Sequence, residues 1–94
     1  MITSEDLKNA TVRVNASSNH MMEMNLYSPI SVLIDAIITV KGSKRGLADE
    51  KIKTFVELTE KNYEENSEET GNPTEKFWEL TTKLSNDLFS EGMN

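Results

Sequence analysis

Residues 28–41 read SPISVLIDAIITVK, a segment almost without a polar side. On a helix, Ser31, Asp35 and Thr39 fall at i, i+4 and i+8 and form one thin polar stripe. Ile30, Val32, Leu33, Ile34, Ala36, Ile37, Ile38 and Val40 cover the rest. A helix apolar over most of its circumference must be covered on several sides. The same residues also alternate as a strand would, with Leu33 and Ile37 on the second face. Length and the Ser28-Pro29 start favour the helix, because proline suits the first helical position. Gly42 suits the left-handed residue that ends a helix, and Lys41, Lys44 and Arg45 sit where the helix dipole favours cations.

The segments around it carry different periods. Residues 3–9 suit a single helical turn, capped by Ser4, with Glu5 and Asp6 at its start. Val12, Val14 and Ala16 then alternate with Arg13 and Asn15, and Met22, Met24 and Leu26 with Glu23 and Asn25. Two alternating runs joined by the polar residues 17–20 predict a β-hairpin. A lone hairpin is not stable in water, so it must lean on helices or pair with another chain. Residues 48–65 place Ile52, Phe55, Val56, Thr59 and Tyr63 at helical spacing. Asn72-Pro73-Thr74-Glu75 predicts the start of a last helix, with Asn72 as cap and Pro73 at the first position. Its expected apolar stripe is Phe77, Leu80, Leu84 and Leu88, with Trp78 and Phe89 to one side, and Gly92 ends it. The expected fold is therefore α+β. An N-terminal β-hairpin region (1–27) packs on a three-helix C-terminal unit (28–94), in a single small domain spanning 1–94. Phe55, Leu80 and Leu84 are its expected core.

At 94 residues, there is little room for a second core. The chain has no cysteine, so it has neither a disulfide staple nor a thiolate metal site, which suits a reducing cytoplasm. Residues 1–10 show no basic, then apolar, leader pattern, and the apolar run near 30–40 is too short to span a bilayer. The single His20 falls in the expected hairpin turn, and one histidine without cysteines supplies no zinc set. The glycines around Lys44 and Arg45 lack the spacing of a phosphate-binding loop. Neither an enzyme nor a cofactor is expected.

Charge is the most uneven property. The net charge is −6, which disfavours direct nucleic-acid binding. Residues 41–53 carry a net +3, and Lys41, Lys44 and Arg45 are the candidate anion-binding residues. Residues 54–72 carry a net −5, from Glu57, Glu60, Glu64, Glu65, Glu68 and Glu69 against Lys61. These six glutamates are the candidate partner-binding residues. Carboxylates spaced along a helix imitate a row of phosphates and suit a cationic groove.

The expected function is a small acidic, non-catalytic interaction protein. It binds and inhibits or regulates a basic, nucleic-acid-handling protein, by nucleic-acid mimicry. In type it is similar to small phage or mobile-element proteins that block host defence or transcription machinery. The alternatives are a homo-oligomeric assembly module and a ligand-binding regulator using the 41–46 loop. A homodimer or higher oligomer is expected, because residues 30–40 carry more apolar surface than so few elements can cover.

Overall fold

A computed structural model describes the backbone of residues 1–17 and 28–90, and side chains from 1–14 and 31–90. Helices account for most of these residues: α1 (Ser4–Ser17), α2 (Ser28–Lys41), α3 (Asp49–Glu65) and α4 (Glu75–Leu88). No strand is among them, and the only β pairing is an isolated bridge between Ser67 and Pro73. The expected α+β fold is thereby corrected to a helical one. The first expected strand lies within α1, and the second, together with His20 and Met21 to Met24, falls outside the described residues.

Two periods compete in the sequence that becomes α1. Val12 and Val14 alternate, but Leu7, Ala10, Thr11 and Val14 also fit i, i+3, i+4 and i+7. The second set wins. Leu7, Ala10 and Thr11 are buried and Val14 packs on the core, whereas Val12 is 61% exposed. A helix closes its own backbone hydrogen bonds, while a two-stranded hairpin needs a neighbour to do so. The Thr11 hydroxyl is satisfied within the helix, donating to the Leu7 carbonyl at 2.7 Å. The expected cap, Ser4, is one residue late: Thr3 accepts the Asp6 N–H on its side-chain oxygen at 3.1 Å. Ahead of the helix, Ile2 is buried, and Asn86 of α4 grips both its N–H and its carbonyl, at 3.0 and 2.9 Å.

The apolar segment is a helix, and α1 is its largest neighbour, with α3 also packed on it. Ser31, Asp35 and Thr39 are exposed, as the stripe predicts, while Val32, Leu33, Ala36 and Ile37 are buried. Ile34 and Val40 pack on the core, and Ile38 is half-buried. Gly42 takes φ +78° and its N–H bonds the Ile38 carbonyl at 2.8 Å, so the chain turns where the sequence expects. Beyond the turn, Lys41 reaches across to donate to the Phe89 carbonyl at 3.1 Å.

α3 and α4 pair through a short, well-bonded connection. The Asn62 side chain donates to the Phe77 carbonyl (3.2 Å) and to the Thr81 hydroxyl (3.0 Å), which sets the register of the two helices. The expected cap at Asn72 is displaced by two residues. Asn72 accepts the Glu68 N–H at 2.8 Å and Pro73 pairs with Ser67, so the antiparallel turn runs through both. The helix begins only after Thr74, whose hydroxyl donates back to the Asn66 carbonyl rather than capping.

The core joins Ile2, Leu7, Ala10, Leu33, Ala36, Ile37, Phe55, Phe77 and Phe89. Leu80 is not in it: at 42% exposure it corrects the expected stripe of α4. Phe77, Thr81, Thr82, Ser85 and Phe89 face inward instead, and Leu84 and Leu88 pack at the edge. At 100° per residue, this arc is centred roughly 90° away from the leucine stripe. The reason is placement: α4 packs against α3 on one side and α1 on the other, so its buried arc follows both neighbours. Small hydroxyl residues tolerate this, since Ser85 donates to the Thr81 carbonyl at 2.8 Å. Thr59 and Thr82 have buried hydroxyls with no hydrogen-bond partner among the described residues. Thr59→Val is therefore expected to raise stability by about 1 kcal/mol, since it removes an unpaired polar atom at constant shape. A lower melting temperature for the variant would show that this hydroxyl is hydrogen-bonded. The radius of gyration, 12.5 Å, is that of one compact domain.

Candidate functional site

All six glutamates singled out by charge are exposed. α3 positions the first four. Its buried side carries Phe55 and Thr59, with Ile52 and Tyr63 packed beside them. Glu57, Glu60 and Glu64 fall within a sector of roughly 60° on the opposite side, at 100° per residue. Glu65 lies toward the α4 side of the helix, next to the sector of Leu58, which is 46% exposed.

The remaining two sit in the turn after α3, and that turn is held from several directions. Glu68 N–H bonds Asn72, Gly71 N–H bonds the Glu68 carbonyl at 2.8 Å, and Thr74 N–H bonds the Asn66 carbonyl at 2.9 Å. The Tyr63 hydroxyl donates to the Gly71 carbonyl. Gly71 has φ +92°, a conformation that side-chain-bearing residues rarely adopt. Asn66 in turn donates to the Asn62 side-chain oxygen at 2.7 Å, one helical turn back. Glu68 and Glu69 are thus presented by a turn whose backbone is fixed. The sequence gives Tyr63 only as part of the apolar stripe. Its second role, with Asn62 and Asn66 at i and i+4, has as its sequence signal only the glycine within a polar break.

The local electrostatics run against the helix. Helix C-termini favour cations, yet the last turn of α3 holds Glu64 and Glu65 and no basic residue. Glu60 and Glu64, at i and i+4, place like charges side by side. Glu57 and Lys61 at the same spacing oppose this in part, with glutamate on the favourable N-terminal side. No ion pair with a described residue neutralises any of the six glutamates. The ion pair among the described side chains joins Lys8 to Glu75, at 3.1 Å, between α1 and α4.

The basic candidates are separate from this face. Lys41 is engaged with Phe89, and Lys44 and Arg45 are exposed in the turn before α3. α3 is about 25 Å long at 1.5 Å per residue, so its basic approach and its acidic end form two distinct regions. Trp78 is half-buried at the core edge, edge-on to Phe77 with ring centroids 5.4 Å apart. No group of three or more His, Cys, Asp or Glu among the described residues is arranged to hold a metal ion. No described helix is long and apolar enough to cross a membrane.

Comparison with known proteins gives no relative: no family model matches the chain, and neither a curated protein nor a solved structure does.

Proposed function

We propose that this chain is a non-catalytic interaction protein of the cytoplasm, whose acidic face on α3 and the following turn occupies a basic groove of a nucleic-acid-handling protein. Occupying that groove would inhibit or regulate the partner by standing in for nucleic acid. One observation carries this reading. A run of exposed glutamates with no ion-pair partner among the described residues is kept toward the end of α3, where it opposes the helix dipole and its own neighbours. Local rules broken without a structural return mark places shaped by something other than folding. The fixed turn at 66–74 adds to the argument, because presenting Glu68 and Glu69 on an ordered backbone lowers the entropy lost on binding. The absence of cysteine suits a reducing compartment.

The proposed complex is heterologous. A homodimer or higher oligomer is proposed beside it and is tested by light scattering; its two premises, an uncovered apolar helix and a lone hairpin, stand differently in the structure. α2 presents no large exposed apolar side chain among its described residues, and α1 is a helix.

The test is capture from an extract of the native host with the immobilised protein, at stepped salt concentrations. A captured basic protein that elutes by a few hundred millimolar salt, and that loses nucleic-acid binding when this chain is added, is the expected result. Capture of a partner whose retention is indifferent to salt would overturn the electrostatic reading.

A further inference from the structure

We draw no further inference here: the strongest candidate, the pair of exposed leucines Leu58 on α3 and Leu80 on α4, is an unpartnered apolar surface, and nothing in the structure shows what covers it.

Discussion

Phe55→Ala is expected to lower the unfolding free energy by about 3–5 kcal/mol, while Leu80→Ala lowers it by less than about 1 kcal/mol. Both residues look alike in the sequence, as large apolar side chains at helical spacing. Phe55 is fully buried and packs its ring against Phe89, with centroids 5.4 Å apart and planes tilted by 50°. It also belongs to the cluster that gathers residues from α1, α2 and α4. Removing it opens a cavity where the helices meet, and a rigid, close-packed surround collapses only partly into such a space. Small domains have only about 5–15 kcal/mol in total, so the variant should be close to unfolding at 37 °C. Leu80 keeps much of its surface in water already, and truncating it leaves no void. Urea denaturation measures both, through the shift in midpoint at constant slope. Equal shifts for the two variants would show that α4 is rolled the other way, with its leucine stripe inward.

Reversal of Glu57, Glu60 and Glu64 to Lys is expected to weaken capture of the partner by about 100-fold or more while leaving the fold intact. Each substitution removes an attraction and adds a repulsion on the same exposed sector. Folding has little to lose. Replacing Glu64 alone should raise stability by a few tenths of a kcal/mol, since lysine suits the last turn of a helix and relieves the pair with Glu60. A control is needed because the triple change also erases the net charge of −6. Asp35, Glu79 and Asp87 are exposed on α2 and α4, and their reversal shifts the net charge equally. If the acidic face is the site, the first triple loses the partner and the second slows encounter only modestly. If both bind as the parent does at low salt, the glutamates are a solvated surface and nothing more. If both lose binding equally, overall charge rather than this face governs recognition.

The opposite signs expected for Glu64, less stable binding but a more stable fold, are the useful signature. The turn that follows makes the same point through geometry. Tyr63, Asn66 and Thr74 all spend hydrogen bonds on ordering a stretch whose exposed members are Glu68, Glu69, Thr70, Gly71 and Asn72.

The sequence by itself determined α3 and the charge map, and it favoured a helix over a strand for α2. The period of residues 30–40 fits helix and strand alike, and it is the length, the Ser28-Pro29 start and the Gly42 stop that favour the helix. The exposure of Glu57, Glu60 and Glu64 likewise follows from their spacing opposite Phe55 and Thr59. Tertiary structure decided the rest. Residues 10–16 satisfy strand alternation and helix periodicity at once, and local preference is too weak to choose between them. Burial of Leu7, Ala10 and Thr11 in the helical bundle, with Val14 packed against the core, chose the helix. The roll of α4 was also beyond the sequence. Its leucines mark one stripe, but a helix between two neighbours must bury the arc that faces both. Thr81 and Ser85 could enter that arc because a short hydroxyl side chain carries its own hydrogen-bond solution, a bond to Asn62 in one case and to the preceding turn in the other. Apolar periodicity shows where a helix can be buried; the position of its neighbours determines which side is.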